Sequence, residues 1–161
     1  KKEIDFKISN NWVVKPDDGA GSEENYIFNN KKKLLNFLKL NKNFITQPLL
    51  KGDSYSANML SSNKKLLILN YNKQKIFYNK KRIVFNGTKF IKKILFENKI
   101  KKNINIIFKK ISGLNSFFGI DFVISNGKIL FLDINPRITT SYKNISKNLK
   151  INPAEKILNT L

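Results

Sequence analysis

The chain has 161 residues, with 31 Lys and Arg against 11 Asp and Glu, no Cys, no His and 41% hydrophobic residues. This length and apolar content suit one folded domain and not a disordered chain. Without Cys or His, the chain cannot form a disulfide, a thiolate or imidazole metal site, a cysteine nucleophile or a Ser-His-Asp triad. Any catalysis must therefore use carboxylates, lysine, arginine, hydroxyls, backbone amides or a hard metal ion bound by oxygen.

The net charge of +20 is compatible with nucleic-acid binding. Only Arg82 and Arg137 are arginines, however, and the lysines are spread along the whole chain. Asn and Ile are also abundant, as A- and T-rich coding would produce. We therefore interpret most of the charge as background and expect no nucleic-acid partner. A basic α/β module that binds nucleic acid stays the alternative from another functional class.

No segment approaches the roughly 18 apolar, uncharged residues of a membrane span, and the first ten residues lack the apolar region of a signal peptide. We therefore expect no membrane association and a cytoplasmic protein.

The first part of the chain predicts strands around one helix. An apolar strand over 11–14 stops at Lys15 and Pro16 and leads into the polar, glycine-bearing segment DDGAGSEEN. KKKLLNFLKLN places its leucines on one face at helical spacing, which predicts an amphipathic helix. A strand over 44–50 follows, before a turn at 51–53.

The middle of the chain predicts a mainly antiparallel sheet followed by helix. The short apolar runs, which are separated by Asn, Ser, Lys and Gly, are SYSANML, KKLLILNY, KQKIFY and KRIVFNG. From Thr88 to about Ile111, apolar residues recur at spacings of three and four. This pattern predicts one long or two short helices that pack on the sheet.

The segment 117–142, FFGIDFVISNGKILFLDINPRITTSY, predicts a β-hairpin with an acidic pair. Apolar residues alternate along both runs, and Asn126–Gly127 marks the turn. A two-residue loop would place the two apolar sets on conflicting faces, so we expect a three-residue loop that includes Lys128. That loop sets Asp121 directly opposite Asp133, with their Cβ atoms about 5 Å apart.

Two carboxylates that face each other repel, unless a cation lies between them or one takes up a proton. Together with the side-chain carbonyl of Asn135, Asp121 and Asp133 present several oxygens to one region. Such a set suits Mg2+ or Mn2+ bound together with phosphate oxygens. Arg137 adds a planar, permanent charge suited to a transferring phosphoryl group. The alternative is a solvated face whose acids are neutralised by the surplus lysines.

Three segments, WVVKPDDGAGSEEN, TQPLLKGDSYSANML and GIDFVISNGKILFLDINPRITTSY, resemble in this order the ATP-grasp superfamily of carboxylate-amine ligases. The last is the most specific, because it is close to the family's paired metal-binding strands followed by Asn-Pro-Arg. Within it, DINPRITTSY is similar to the archaeal-type branch that includes a tyramine-glutamate ligase. The resemblance implies an α+β fold of the ATP-grasp type, in which ATP lies between two lobes. The smaller, nucleotide-covering lobe would span 1–48, and the larger lobe, with the antiparallel sheet and the metal site, 49–161.

The resemblance also implies roles for individual residues in ATP binding. Lys15 would contact the α- and β-phosphates and act in catalysis with Arg137, and Asp53 would contact the ribose. Gln47, in place of the family's usual acid, and a backbone group of Leu49 would hold the adenine. The loop that closes over the β- and γ-phosphates would consist of Gly19, Ala20, Gly21 and Ser22. Asp121, Asp133 and Asn135 match the metal positions of the family.

The reaction implied by the resemblance joins a small carboxylate to a small amine with ATP and Mg2+ or Mn2+, through an acyl phosphate. Addition of glutamate to an amine in cofactor biosynthesis is one such reaction. Residues 139–142 are interpreted either as lining of the acceptor site or as a polar loop. A degenerate domain that binds ATP without turnover is a further alternative.

The family usually has an N-terminal domain and a further ATP-contacting lysine on a preceding strand. The residues ahead of the first predicted strand are too few for either. We therefore expect the chain to be a fragment of a longer ligase, or a partner chain to supply the missing domain. The sequence leaves a homodimer open.

Overall fold

The computed structural model describes residues 9–18, 24–62, 65–79 and 81–160. Within these residues the chain forms eight strands and four α-helices. The strands are β1 (Trp12–Pro16), β2 (Tyr26–Phe28), β3 (Phe44–Pro48), β4 (Asp53–Ser62), β5 (Lys65–Asn79), β6 (Arg82–Ile91), β7 (Ser116–Ser125) and β8 (Lys128–Asn135). The helices are α1 (Lys31–Leu40), α2 (Glu97–Lys110), α3 (Lys143–Leu149) and α4 (Pro153–Leu158), with a short 3-10 turn over Thr140–Tyr142.

The chain divides into two compact units. The first unit comprises Lys1–Leu50 and Ile76–Asn86, and the second comprises Lys51–Lys75 and Gly87–Leu161. Strands β5 and β6 therefore contribute residues to both units.

In the first unit, β1 pairs antiparallel with β2 on one side and with β3 on the other. Asn30 caps the N-terminus of α1, because its side-chain oxygen accepts a hydrogen bond from the backbone N–H of Lys33 at 3.0 Å. The apolar face of α1 then buries Leu34 against Trp12 and Val14 of β1. The predicted helix is thus confirmed, and it covers one face of this small sheet.

In the second unit, β4 is the central strand and pairs antiparallel with β5 and β7, and β7 pairs antiparallel with β8. The alternating residues Phe118, Ile120 and Phe122 of β7 are fully buried in one core cluster, as their pattern predicts. Helix α2 covers this face and buries Ile100 and Ile104 in the same cluster. Helices combined with an antiparallel sheet confirm the α+β class.

The opposite face of this sheet is covered by the C-terminal segment. Leu60 of β4 and Phe117 of β7 form a smaller cluster with Ile145 of α3. The polar residues of this face, further along the same strands, build the candidate site.

The structure differs from the predicted elements at two places. The helical prediction from Thr88 is wrong at its start, because β6 continues to Ile91 and α2 begins only at Glu97. The apolar residues from Thr88 to the start of α2 form only a short run, and periodicity in so short a run does not distinguish a helix from a strand. The runs KKLLILNY and KQKIFY form one long strand, β5.

The sequence also did not predict β2, α3 or α4. For α4 a signal was present: Asn152 accepts hydrogen bonds from the backbone N–H groups of Ala154 and Glu155, and Pro153 follows at the first helical position. Among the described residues, no helix is long and apolar enough to span a membrane.

Candidate functional site

The β7–β8 hairpin turns through two residues and not three. Ser125 pairs with Lys128, and Asn126 and Gly127 both have positive φ, 48° and 72°. This is the geometry of a type I′ turn, which Asn-Gly favours because both residues tolerate the left-handed region. The predicted three-residue loop is therefore wrong.

A β-bulge on β8 nevertheless sets Asp121 directly opposite Asp133. The register runs from the turn to the pair Phe122–Phe131, and the next pair is Asp121–Asp133, so that Leu132 is the extra residue. The predicted opposition of the two carboxylates is thus confirmed, although the register that produces it differs from the predicted one.

Core packing explains why the bulge is present. Between the turn and the bulge, Ile129 and Phe131 face the core, and Phe131 packs against Phe122 with ring centroids 5.7 Å apart. Beyond the bulge, Ile134 faces the same core. The change of phase at Leu132 lets all three apolar residues reach the core while both carboxylates stay on the other face.

Asp121 is half-buried, and amide groups hold both of its carboxylate oxygens. Gln74 on β5 donates from Nε2 to Oδ1 at 2.9 Å, and Asn135 donates from Nδ2 to Oδ2 at 3.2 Å. Asp133 is exposed, and its Oδ1 accepts the backbone N–H of Ile134 at 3.0 Å. Hydrogen bonds from amide groups fix the orientation of a carboxylate.

Arg137 lies at the same end of the hairpin. Its guanidinium donates to Oδ1 of Asn135 and to the backbone oxygen of Ile138, each at 3.3 Å. A chain of hydrogen bonds therefore leads from Arg137 through Asn135 to Asp121. The structure thus brings together the four predicted residues of this site: Asp121, Asp133, Asn135 and Arg137.

The donors of this set suit a hard cation. Asp121, Asp133 and Asn135 offer oxygen ligands only, and the two opposed carboxylates concentrate negative charge. Among the described residues, no three His, Cys, Asp or Glu side chains group together as a metal site of their own. The set therefore fits Mg2+ or Mn2+ that takes its remaining ligands from phosphate oxygens or water, and not a site that encloses the ion.

Asp53, the predicted ribose contact, forms an ion pair at the start of β4. Its Oδ1 lies 2.9 Å from Nζ of Lys73, and Tyr55 donates its hydroxyl to Oδ2 at 3.4 Å. The hydrogen bond to Asp53 raises the pKa of Lys73, and burial followed by the charge of Asp53 raises the pKa of Tyr55.

The predicted ATP contacts of the first unit share one face of its sheet. Val13 pairs with Gln47 and Lys15 with Ile45, so the half-buried Lys15 and Gln47 side chains lie diagonally on the face opposite α1. The backbone N–H of Leu49 donates to the oxygen of Asn11 at 2.9 Å. The predicted phosphate loop, Gly19, Ala20, Gly21 and Ser22, lies outside the described residues.

Sequence reasoning missed Gln74, the residue that orients Asp121. The two residues are 47 positions apart, and only the alignment of β5, β4 and β7 brings them into contact, so no local pattern could have identified Gln74. Residues 140–142 form a 3-10 turn, and both interpretations of 139–142 stay predictions. The hydroxyls of Thr139 and Ser141 both donate to Oδ1 of the buried Asn58.

Comparison with known proteins gives one family and two groups of relatives. The family described as the ATP-grasp domain matches residues 1–141. A tyramine–L-glutamate ligase of Methanocaldococcus fervens is 32% identical over 130 residues, and one of Methanocaldococcus jannaschii is 29% identical over 137. These matches cover 81% and 85% of the chain but only 38% and 39% of the relatives. The chain thus spans about two fifths of the length of these curated relatives.

Solved structures with a similar fold are more distant in sequence. The crystal structure of an L-amino acid ligase from Bacillus licheniformis has a TM-score of 0.76 at 14% identity, covering 99% of this chain and 40% of that one. A D-alanine–D-alanine ligase from Bacillus anthracis complexed with ATP has a TM-score of 0.67 at 14% identity, covering 99% of this chain and 56% of that one.

Proposed function

The chain belongs to the ATP-grasp family, and on that premise we propose that it carries the nucleotide and metal site of an ATP-dependent carboxylate-amine ligase. In this reaction an oxygen of the carboxylate attacks the γ-phosphorus of ATP, and the bond from that phosphorus to ADP breaks. The nitrogen of the amine then attacks the carbonyl carbon of the acyl phosphate. Phosphate leaves with the bonding electron pair, and the nitrogen loses a proton to give the amide.

One observation carries the proposal: Asp121 stands directly opposite Asp133, with Asn135 and Arg137 bonded in series beside them. The opposed carboxylates favour a divalent cation, which when bound would neutralise phosphate charge as electron density moves to the leaving group. Asp121, Asp133 and Asn135 are the residues that would hold it. Arg137 offers an exposed, permanently charged fork for the transferring phosphoryl group.

The composition agrees with this chemistry. Phosphoryl transfer requires mainly positioning and electrostatic stabilisation, so neither His nor Cys is needed. Gln74 and Asn135 contribute by fixing the orientation of Asp121.

For ATP, we assign the triphosphate to Lys15 and to the loop of Gly19, Ala20, Gly21 and Ser22, and the adenine to Gln47 and Leu49. Lys15 and Gln47 share a sheet face, which supports a common ligand for the two. Asp53 is assigned to the ribose, and Lys73 is its ion-pair partner.

For the substrates, we propose glutamate as the acid and a small primary amine as the acceptor, in the biosynthesis of a cofactor. The support for glutamate and an amine is the name of the two relatives near 30% identity, both tyramine–L-glutamate ligases. The part of those relatives that this chain does not cover would come from flanking sequence or from a partner chain.

The decisive test is isothermal titration of ATP into wild-type and Asp133→Asn protein, with and without Mg2+, at moderate salt that screens simple attraction between lysine and phosphate. We expect Mg2+-dependent binding that weakens by at least about tenfold in Asp133→Asn, because the opposed carboxylate is lost. Glu155→Gln is the matched control, since it makes the same carboxylate-to-amide change at an exposed position of α4.

Thermal unfolding of the same proteins gives a second readout. ATP with Mg2+ should raise the unfolding temperature of wild type, and should raise that of Asp133→Asn less, because a ligand stabilises the folded state that binds it. ATP binding that depends on neither Mg2+ nor the substitution would overturn the metal site. It would indicate instead that the lysines attract the phosphates of ATP. Steeply salt-dependent binding to DNA or RNA in both proteins would then support the nucleic-acid alternative. Mg2+-dependent binding without phosphate release in the natural full-length form would indicate a degenerate ATP-binding domain.

A further inference from the structure

Three buried asparagines form a row of hydrogen bonds on the sheet face of the second unit that carries Asp121. Asn58 on β4 donates from Nδ2 to Oδ1 of Asn70 at 2.9 Å, and Asn70 donates from Nδ2 to Oδ1 of Asn72 at 3.1 Å. The exposed fractions of Asn58, Asn70 and Asn72 are 0%, 5% and 0%. We refer to these residues as the asparagine ladder. Burying a row of amides is costly compared with apolar residues, so packing alone does not explain the ladder.

The ladder attaches the segment that follows β8 to the sheet at two points. Oδ1 of Asn58 accepts the hydroxyls of Thr139 and Ser141 at 2.9 and 3.0 Å, which uses both of its lone pairs. Further along, Asn144 on α3 donates from Nδ2 to Oδ1 of Asn72 at 3.1 Å. The same amide of Asn144 lies 3.0 Å from the hydroxyl of Thr88.

The sheet surface is shaped for this close approach. Gly119 on β7 pairs with Asn58 on one side and with Asn135 on the other. A Cβ atom at position 119 would lie 2.6 Å from Cγ2 of Thr139, so any other residue there would force the Thr139 side chain out of its present position.

These anchors surround Arg137. Asn135 belongs to β8 and is fixed by its bond to Asp121, while Thr139 is fixed by its bond to Asn58. Only the three residues 136–138 lie between them, and Arg137 is the middle one. The backbone N–H of Arg137 also donates to the oxygen of Asn135 at 2.8 Å.

We propose that Asn58 is a positioning residue, which acts through Thr139 and Ser141 to hold the guanidinium of Arg137 beside the two carboxylates. The proposal rests on the proposed function, because it takes Arg137 to contact the transferring phosphoryl group. It assigns a catalytic consequence to a fully buried residue 79 positions before Arg137 that contacts no ligand in the proposed site.

The test removes the two hydroxyls and leaves the sheet unchanged, in the double variant Thr139→Val/Ser141→Ala. Amide hydrogen exchange reports on the anchor itself, through the backbone N–H of Tyr142, which donates to the oxygen of Thr139 at 3.0 Å. We expect exchange at Tyr142 and Arg137 to become at least about tenfold faster in the double variant. Ser146→Ala, which removes an exposed hydroxyl from α3, should leave both rates unchanged.

Steady-state kinetics of the natural full-length form then distinguish a loss of Arg137 positioning from a general loss of structure. The double variant should lower kcat by about tenfold and change the KM for ATP by less than about twofold, because only the group at the reacting phosphorus moves. Thr139→Ser in the Ser141→Ala background restores one hydroxyl and should recover most of kcat. In an Arg137→Ala background the double variant should cost nothing further, since both changes act through the same group.

Several outcomes would overturn the proposal. Unchanged exchange, or faster exchange with unchanged kcat, would each show that the ladder does not position Arg137. Losses of kcat that add independently to that of Arg137→Ala would show the same. If the double variant does not fold, Ser141→Ala alone, which keeps Thr139 bonded to Asn58, carries the same comparisons with smaller effects. A wild-type protein without ATP turnover would instead be a failure of the proposed function, which the exchange measurement distinguishes because it needs no ligand.

Discussion

At the scale of single residues, several buried polar side-chain atoms have no hydrogen-bond partner among the described residues, and the hydroxyl of Tyr71 is one of them. The Tyr71 side chain is 6% exposed and packs in the main core, and its hydroxyl has no hydrogen-bond partner within the described parts of the chain. A buried hydroxyl that loses its water without gaining a partner costs about 1–3 kcal/mol. Burial, followed by the charge of Glu97, raises the pKa of Tyr71.

This arrangement predicts that Tyr71→Phe stabilises the protein by about 1 kcal/mol near neutral pH, because the unpaired hydroxyl is removed. It also predicts a change at alkaline pH. Because burial raises the pKa of Tyr71 in the folded state above the usual value of 10.0, the unfolded state ionises first. Ionisation of Tyr71 therefore leaves stability unchanged below about pH 10 and lowers it as pH rises toward the folded-state pKa. Urea unfolding at about pH 8 and about pH 10.5 should therefore show a smaller alkaline loss in Tyr71→Phe than in wild type.

The control is Tyr78→Phe, which removes a hydroxyl from a side chain that is 55% exposed. It should leave both the free energy of unfolding at neutral pH and its alkaline slope close to those of wild type. Parallel pH profiles for Tyr71→Phe and wild type would contradict the assigned role of burial.

At the scale of elements, the β7–β8 hairpin depends on its turn. Gly127 has φ of 72°, and an added Cβ would meet only the Cζ atom of Phe96 at 3.9 Å. Space is therefore sufficient, and the cost of a substitution comes from the backbone conformation alone. We expect Gly127→Ala to lower the free energy of unfolding by about 1–2 kcal/mol, the cost of the left-handed region for an L-residue. Gly127→Asn should cost clearly less, because Asn tolerates this region. Equal stabilities of the two variants in urea unfolding would refute this account.

The same hairpin shows how far the sequence alone can predict the structure. The alternation of Phe118, Ile120 and Phe122 identifies the buried face of β7, and that face identifies the side on which Asp121 lies. No local sequence pattern indicates that Leu132 is the extra residue. The position of the bulge depends on whether Phe131 or its neighbours pack into the core, and other elements build that core. The site was therefore predictable as a pair of carboxylates, but its register was not.

A similar limit applies to the asparagine ladder. In a chain rich in Asn, the residues Asn58, Asn70 and Asn72 look like products of biased coding, and only strand pairing reveals that they meet. The ATP-grasp motifs were readable because they are local runs of sequence. The residues that orient them, such as Gln74 and Asn58, come from distant strands and carry no local signature.

At the scale of the whole molecule, the formal net charge of +20 dominates the electrostatics. Ion pairs such as Lys73–Asp53 and Lys101–Glu97 are solvent-exposed, so each contributes little to stability. Repulsion among the remaining cations should destabilise the folded state at low ionic strength. Raising NaCl from about 10 mM to about 150 mM shortens the Debye length from about 30 Å to about 8 Å.

The free energy of unfolding in urea should therefore increase over this range of NaCl. Urea is the appropriate denaturant because it is uncharged and does not itself screen the lysines. A decrease with salt would mean that attractive ion pairs outweigh the repulsion, in conflict with the composition.

The bulge at Leu132 determines which measurement can detect a correctly folded hairpin. If the turn took three residues, Ser125 would pair with Ile129 and the strands would meet without a bulge, burying Leu130 and Leu132 instead of Ile129 and Phe131. Asp121 would still face Asp133 in that arrangement. The two registers differ only between the turn and the bulge, so a misaligned molecule keeps its paired carboxylates while its core is wrong. Nucleotide titration is therefore a poor reporter of native structure in this hairpin, and quality control of the purified protein should rely on the aromatic core.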